Sequence, residues 1–325
     1  MNHSRVISVY AVIALTTFAV LALSLMSGSV SLGTAELWRG VTSTETLAHS
    51  LIFELRLPRA LTAFAAGGAL ALAGALMQVL LRNPLADPFV MGVSGGAAVA
   101  ALCAMLIGLS GFGVDAAATL GALGATLLVF ALAHGEGGWT PTRLLLTGVV
   151  IAAGASAVVS MLLTLSDETQ LRGMLFWLMG DLAFSTRPGP LLALFAGALL
   201  ASFPFARQLN VLARSELQAR VLGAPVDALR IGIFIASSVL TGASVTTAGT
   251  IGFVGLVTPH LARLLLGADH RLMLPASALL GGTLVMIADL CARTLFAPRQ
   301  LPVGALTALV GAPLFLALMR RNSAR

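Results

Sequence analysis

Residues 58–81 read PRALTAFAAGGALALAGALMQVLL, a nearly unbroken apolar run. It carries one charged side chain, Arg59, and one strongly polar residue deep inside it, Gln78. A helix that crosses the roughly 30 Å hydrocarbon core of a bilayer needs about 20 predominantly apolar residues. The run is long enough and apolar enough to predict a transmembrane helix.

The composition of the whole chain agrees with that prediction. Of 325 residues, 58% are hydrophobic and 10% are charged, and the mean hydropathy is +0.97. Soluble domains carry about 25% charged residues, so the composition excludes an ordinary soluble fold. We expect an all-α polytopic membrane protein, with residues 1–325 forming a single transmembrane domain. Ten spans are predicted, at 6–27, 58–81, 90–109, 115–134, 143–165, 190–205, 229–247, 251–266, 273–294 and 301–319.

The distribution of arginines predicts the orientation of these spans. The first apolar run is longer than the core of a signal peptide, so we expect it to be retained as a span. With the N-terminus inside, the cytoplasmic segments hold 12 arginines and the outer segments hold 7. Cytoplasmic loops carry an excess of basic residues. Both termini are therefore expected in the cytoplasm.

The sequence also excludes several kinds of chemistry. All 19 basic residues are arginine, and an ordinary phosphate-binding P-loop needs a lysine. The two cysteines, Cys103 and Cys291, stand alone in apolar runs without metal-ligand spacing. The net charge of +6 is explained by orientation in the bilayer rather than by nucleic acid. We expect no catalytic residue, no metal site and no cofactor in this chain.

Two features of the predicted spans point to close packing and to a break. Small residues recur every four positions in the second span, from Ala63 to Ala75, which lets helix backbones approach closely in lipid. Residues 241–255 read TGASVTTAGTIGFVG, which predicts a broken helix. The break either lines a pathway or is a packing kink. Asp289 and Arg293 are four residues apart, so an ion pair along the ninth span is available.

A polar segment at 206–228 predicts a short helix on the cytoplasmic face. Ser215 and Gln218 have the spacing of a capping box, with helix over 216–222. Gly223 supplies the left-handed stop, and Asp227 is placed to cap the next span. The residues alone leave two interpretations open, an ordinary interfacial helix or a docking element for a cytoplasmic partner.

Four blocks of the sequence resemble one permease family. They are RLPRALTAFAAGGALALAGALMQVLLRNPLADPFVMGVSGGA (56–97), ELQARVLGAPVDALR (216–230), GTIGFVGLVTPHLARLLLGADHRLMLP (249–275) and LPVGALTALVGAPLF (301–315). Together they look like the permeases for iron-siderophores, haem and cobalamin, which are the membrane subunits of type II ABC importers. The similarity runs over essentially the whole chain. It implies ten spans per subunit.

The resemblance implies a set of partners. The permease is expected to form a homodimer in the bacterial inner membrane, with the pathway on the two-fold axis. Two separate cytoplasmic subunits would bind ATP and Mg and hydrolyse the ATP. A periplasmic binding protein would deliver the cargo.

The resemblance also assigns a role to the short helix after Ser215. It matches the coupling helix that sits in a groove of the ATP-binding subunit, where a rigid lever transmits closure to the next span. The residues that match are Arg214, Ser215, Glu216, Gln218, Arg220, Leu222, Gly223 and Ala224.

Three arginines are expected at the outer face. Arg56, Arg59 and Arg293 match positions that pair with glutamates of the binding protein, and an arginine fork suits a carboxylate. Interfacial snorkelling or local pairing is the alternative, for instance Arg56 with Glu54 or Arg293 with Asp289.

The resemblance places two gates at the cytoplasmic side. Asn83 and Leu85, in the RNPLADP turn, match one gate, and Thr142 aligns loosely with a second at the start of the fifth span. Ordinary turn chemistry is the alternative, since Asn-Pro and Asp-Pro both initiate turns.

Two charged residues bear on the cargo, and they point in different directions. After FWLMG (176–180) many family members continue with Ser or Gly, whereas this chain has Asp181. A carboxylate there favours a cationic or neutral cargo, or else pairs with Arg187. Arg172 could instead meet a haem propionate. We expect a large metal chelate, with haem favoured and ferric siderophore and cobalamin next.

A stand-alone secondary transporter or channel is the alternative class of protein. It would require ionisable residues near the bilayer midplane or paired broken helices. The sequence shows one such break and no clear counterpart in its first half.

Overall fold

The computed structural model describes residues 3–28, 30, 32–44, 46–134, 139–183 and 187–323, and these residues form helices without any strand. The predicted all-α class is therefore confirmed. The helices are α1 His3–Met26, α2 Thr34–Thr42, α3 Leu47–Ser50, α4 Leu57–Leu80, α5 Val93–Leu106, α6 Phe112–Ala133, α7 Pro141–Leu165, α8 Glu168–Met179, α9 Gly189–Ser202, α10 Ala206–Arg214, α11 Glu216–Val221, α12 Val226–Ala248, α13 Val254–Leu266, α14 His270–Thr294 and α15 Val303–Ser323.

Helix length alone does not reproduce the ten predicted spans. Within the described residues, six helices are long and apolar enough to cross a membrane: α1, α4 with the turns that precede it, α6, α7, α12 and α14. Helices α9 and α10 together form a seventh, bent by 72° at their junction. Three shorter apolar helices, α5, α13 and the apolar part of α15, coincide with the remaining predicted spans.

Helix α4 is the centre of the bundle. It is packed by α12, α13 and α14, and almost every residue from Ala60 to Leu80 is buried. A Cβ on Gly67 would lie 2.2 Å from the Gly281 carbonyl oxygen, and one on Gly74 would lie 2.0 Å from that of Gly255. The predicted small-residue face is thus the surface on which α4 meets α14 and α13 backbone to backbone.

The segment before α4 is more helical than the sequence predicts. Residues 51–56 form a π-helical turn that joins α3 to α4 without a gap, so the second span begins about ten residues earlier than expected. Pro58 directly follows this π-helical turn. Because it lacks a backbone N–H, it cannot continue the main-chain hydrogen-bond pattern of the preceding turn.

The broken helix predicted at 241–255 is confirmed, and the break is confined to residues 249–253. Helix α12 runs without interruption to Ala248, and Gly249 then takes φ = 68°. Phe253, at φ = 67°, starts α13. A Cβ on Gly249 would lie 2.4 Å from the Trp177 carbonyl oxygen, so the break is pressed directly against α8.

Candidate functional site

An open cavity of about 790 Å³ lies between α5, α6, α8 and the end of α12. Its wall combines small or hydroxyl residues with two aromatic rings and three charged side chains. The residues that matter for its chemistry are Asp115, Thr169, Arg172, Phe176, Trp177, Asp181, Thr246 and Thr247. The cavity is far larger than a single ion requires.

Both charged residues singled out in the sequence line this cavity. Arg172 projects from α8 and is exposed, and Asp181 follows the end of the same helix. The Asp181 Oδ1 accepts a hydrogen bond from the Ala183 amide at 2.7 Å, and no ion pair joins it to Arg187 among the residues that the structure describes. Neither the Asp181 carboxylate nor the Arg172 guanidinium enters an ion pair among the described residues.

A third charge, Asp115, was missed by the sequence analysis. It stands in the first turn of α6 and lines the same cavity as Arg172. Its position in the sequence is typical of an acidic residue at a helix start, where the helix dipole stabilises a negative charge. Nothing in its local pattern places it opposite α8.

The helix break forms one side of the cavity. Thr246, Thr247 and Gly249 line it, and Thr250 Oγ1 donates to the Leu178 carbonyl at the end of α8. The Val303 amide at the start of α15 donates to the Gly180 carbonyl at 3.1 Å. The ends of three helices thus meet at the break.

The segment predicted as a docking element adopts the predicted local structure. Ser215 Oγ accepts from the Gln218 amide at 3.3 Å, α11 runs from Glu216 to Val221, and Gly223 has φ = 76°. Helix α11 ends one residue earlier than predicted. Its exposed side carries Leu217 (72%), Val221 (78%) and Leu222 (72% exposed).

Glu216 makes several ion pairs in this segment. Its carboxylate pairs with Arg230 of α12 and with Arg220 of its own helix, the latter at 3.3 Å. It also lies 3.6 Å from the Arg82 guanidinium, at the end of the turn that leaves α4. One carboxylate thus connects α11 to two other parts of the fold. The sequence indicated Glu216 only as part of the helix.

Asp227 does not cap α12, which corrects the prediction from the sequence. Pro225 occupies the cap position, and Asp227 lies in the first turn. Its two carboxylate oxygens accept from Arg220 at 2.7 and 3.1 Å. The pair raises the pKa of Arg220, chiefly through the hydrogen bond from Arg220 to Asp227. It is a second tie between α11 and α12.

The RNPLADP turn is held by side-chain hydrogen bonds. Asn83 Oδ1 accepts from the Leu85 amide at 2.9 Å, and Leu85 is exposed. A 3₁₀ turn at Pro88–Met91 follows and packs on α7, where a Cβ on Gly148 would lie 2.4 Å from the Val90 carbonyl oxygen. Thr142 is exposed in the first turn of α7. The predicted turn chemistry is present, and the gate role stays a prediction.

Arg56 is buried rather than presented at the surface. It is 6% exposed. Its guanidinium donates to the carbonyls of Leu25 and Met26 at 2.6 and 2.9 Å, and to that of Val30. These carbonyls lie at the end of α1 and just beyond it, where a helix has acceptors without internal partners. The alternative pairing of Arg56 with Glu54 is not observed.

Arg59 and Arg293 share one buried carboxylate. Asp289 lies 2.7 Å from Arg59 Nη2 and 3.5 Å from Arg293 Nε, so the predicted ion pair along α14 is present. Arg293 also donates to the carbonyls of Ser24 and Ser27 at the end of α1. Arg56, Arg59 and Arg293 line a cleft of about 240 Å³ at the end of the bundle that is predicted to lie outside, and we call it the outer cleft.

Residues 15–321 match the FecCD transport family. The chain is 41% identical over 307 residues to the hemin transport system permease protein HmuU of Yersinia pestis, covering 91% of this chain and 90% of the relative. It is 43% identical over 292 residues to the vitamin B12 import system permease protein BtuC of Vibrio cholerae, covering 88% of each. The chain belongs to the FecCD family.

The fold agrees with that assignment. A solved metal-chelate type ABC transporter in an inward-facing conformation superposes with a TM-score of 0.85 at 34% identity, covering 96% of this chain and 98% of the other. The class of protein is therefore a multi-pass permease subunit of an ABC importer, whose ATPase activity is carried by separate subunits.

Proposed function

We propose that this chain is the permease subunit of a homodimeric importer that moves a large metal chelate from the periplasm to the cytoplasm by alternating access. Two cytoplasmic subunits would supply ATP hydrolysis, and a periplasmic binding protein would deliver the cargo. The protein would lie in the bacterial inner membrane with both termini in the cytoplasm. The observation that carries the proposal is a wide cavity in a bundle that also presents a rigid, apolar-tipped helix to solvent.

The exposed side of α11 supports docking of an ATP-binding subunit. Leu217 and Val221 are one helical turn apart, and Leu222 follows them. Aliphatic side chains clustered on an exposed helix indicate a groove-shaped partner. The ion pairs of Glu216 and Asp227 attach this helix to α12, so a push on α11 would move α12 with it.

The tie to Arg82 extends the same lever towards the turn that holds Asn83 and Leu85. Through it, the carboxylate of Glu216 would connect the docking helix with the proposed cytoplasmic gate. Thr142 would belong to a second gate at the start of α7. Coupled elements of this kind need contiguous contacts with two arrangements.

Haem is the cargo that we propose first. Arg172 could bind a propionate carboxylate with its planar guanidinium, while Phe176 and Trp177 in the same wall offer flat apolar surface to a macrocycle. The carboxylates of Asp115 and Asp181 would repel an anionic cargo. Ferric siderophore and cobalamin therefore remain the next candidates. Similarity to a hemin permease and to a vitamin B12 permease leaves that order unchanged.

We further propose that the outer cleft receives an acidic group of the binding protein. Arg56, Arg59 and Arg293 line it with Glu54 as the exposed acidic neighbour. Association would then weaken as ionic strength rises. Substituting Arg59→Gln should reduce both the affinity and its salt dependence, whereas Arg299→Gln, exposed and outside the cleft, should change neither.

The test of the function is co-purification and transport. A tagged chain from its native membrane, solubilised in mild detergent, should bring down an ATPase that the binding protein stimulates, and a Soret band would identify haem. The two subunits of the dimer should be identical. A chain that transports in liposomes without any ATPase would instead establish the stand-alone secondary transporter.

A further inference from the structure

A second cavity, of about 450 Å³, lies at the α11 end of the bundle, between α4, α10 and the junction of α13 with α14. Its wall carries three arginines, Arg82, Arg214 and Arg263, and one carboxylate, Asp269. It is separate from the cavity proposed for cargo. We call it the basic cavity.

Asp269 does not neutralise these arginines directly. Its Oδ1 accepts from Asn210 Nδ2 at 2.9 Å and from the Arg271 amide at 3.1 Å. These hydrogen bonds, that from Asn210 foremost, lower the pKa of Asp269. The carboxylate therefore serves the start of α14. Because Arg82 already faces Glu216, Arg214 and Arg263 are the two arginines of the basic cavity without an ion-pair partner among the described residues.

Arg263 is the strongest sign of a missing anion. It is partly buried in α13, and its Nη2 donates to Gln78 Oε1 at 3.0 Å and approaches Met273 Sδ at 4.0 Å. Within the described part of the chain no carboxylate lies within ion-pair distance of it. A cation removed from water is ordinarily paired with an opposite charge.

His270 adds an unsatisfied polar atom to the same wall. The residue is 3% exposed, and its Nδ1 lies 2.6 Å from Asn210 Oδ1, so that nitrogen carries the proton. Its Nε2 has no hydrogen-bond partner in the described structure. As the unprotonated nitrogen of a neutral ring it can only accept a hydrogen bond, from a water or from the hydroxyl of a protonated phosphate. Arg214, from α10, is exposed at the cavity and enters none of the described ion pairs.

We propose that the basic cavity binds a phosphate group. Several arginines converging on one space match the multiple acceptor oxygens of a phosphate, and their forked geometry suits it better than a point cation would. The phosphate would supply the counter-ion that Arg263 and Arg214 lack. The volume of the basic cavity leaves room for a phosphate ester together with bound water.

An adjoining apolar cavity favours a phospholipid as the source of that phosphate. It measures about 510 Å³, shares Ala268 and Asp269 with the basic cavity, and is lined by Val6 and Ile7 of α1 and by Leu272 of α14. An acyl chain fits such a surface. Basic pockets at the ends of membrane helices bind anionic headgroups. Soluble phosphate esters offer the same group without the chain.

The experiment compares lipid retention by the purified full-length protein in neutral detergent. Native mass spectrometry would count bound phosphatidylglycerol against phosphatidylcholine of the same acyl chains. In parallel, thermal unfolding would be followed with glycerol phosphate against chloride at equal ionic strength. We expect retention of phosphatidylglycerol that falls about tenfold in Arg263→Gln and in Arg214→Gln, as loss of a charge-assisted contact requires.

The matched control is Arg271→Gln, which removes the same charge from an exposed neighbour outside the basic cavity. Arg214→Gln is the second test variant because the Arg214 side chain is exposed, so its replacement should not disturb folding. Stabilisation by glycerol phosphate that Arg263→Gln abolishes, without lipid preference, would support the phosphate site with a soluble source. Equal retention of both lipids together with no effect of glycerol phosphate would overturn the proposal, as would equal loss in all three variants.

Discussion

The Glu216 carboxylate lies 3.6 Å from the Arg82 guanidinium, joining α11 to the first residue of the RNPLADP turn. The two residues are 134 positions apart in sequence. Arg82 is held there with φ = 49°, an unusual backbone conformation for a side chain of its size. The contact therefore depends on a specific local geometry on each side.

Glu216→Gln should uncouple ATP hydrolysis from transport. The substitution keeps the helix but removes the charge that Arg82, Arg220 and Arg230 share. Coupling energies of about 0.5–2 kcal/mol predict that cargo transported per ATP falls between about twofold and thirtyfold. A double-mutant cycle with Arg82→Gln, measured in proteoliposomes, should be non-additive. Strictly additive losses would show that the two residues act independently.

The exposed aliphatic residues of α11 should control assembly with the ATPase. Leu217→Ser combined with Val221→Ser should leave thermal stability nearly unchanged, because both side chains are exposed. Retention of the ATPase subunit on affinity resin should fall by at least about thirtyfold, as expected for central interface residues worth about 2 kcal/mol. Leu295→Ser, exposed at the end of α14, is the control. Unchanged retention would place the ATPase elsewhere.

Arg56→Met should destabilise the fold. The variant keeps the bulk of the side chain but loses the hydrogen bonds to the carbonyls of Leu25, Met26 and Val30. We expect a loss of about 1–3 kcal/mol, as for removal of hydrogen bonds from a charged donor. The Met26 carbonyl keeps the Leu32 amide as a donor. Thermal unfolding in detergent measures it. Arg39→Met, at an exposed outer position in α2, should change the midpoint little.

Arg172→Gln should distinguish the cargo. If a carboxylate of the cargo binds Arg172, uptake of haem in proteoliposomes with its binding protein should fall about tenfold, since a hydrogen bond to a charged group contributes about 1.5–3 kcal/mol. Uptake of cobalamin should stay the same. Asp181→Asn, on the same cavity wall, should raise haem uptake or leave it unaltered. If Arg172→Gln takes up haem at the wild-type rate, haem is no longer the favoured cargo.

The stability of the protein should depend on pH through Asp87. Burial raises the pKa of this carboxyl from 3.8 to about 6, against the hydrogen bond from the Phe89 amide. Between these values the folded state binds more protons than the unfolded state, so this contribution to stability declines as pH rises from about 4 to about 6. Asp87→Asn keeps the amide contact and should flatten that part of the profile. Parallel profiles of wild type and variant would refute the assignment.

Local features of the fold were predictable because each depends on neighbouring residues. The capping of α11 by Ser215, the stop at Gly223 and the break after Ala248 all follow from hydroxyl, glycine and spacing signals within a few positions. The close packing of α4 also follows, since small residues every four positions can serve little else in a membrane helix.

Long-range contacts were not predictable in this way. Arg56 caps α1 from 30 positions away, and nothing in its neighbourhood indicates burial. Asp115 and Arg172 line one cavity because α5 packs against both α6 and α8. The partners of Glu216 outside its own helix come from α12 and from the turn after α4. Such features depend on tertiary packing, which a single sequence records only indirectly.

The contacts of α4 have a mechanical consequence. At Gly67 and Gly74 its backbone touches the backbones of α14 and α13 without any intervening side chain. Rotamers can change and absorb a displacement, whereas two abutting main chains cannot. Helices α4, α13 and α14 therefore move together as one rigid body. Any relative motion of the helices must then be taken up by elements outside this body, such as α1 and α7, which the rest of the chain covers least.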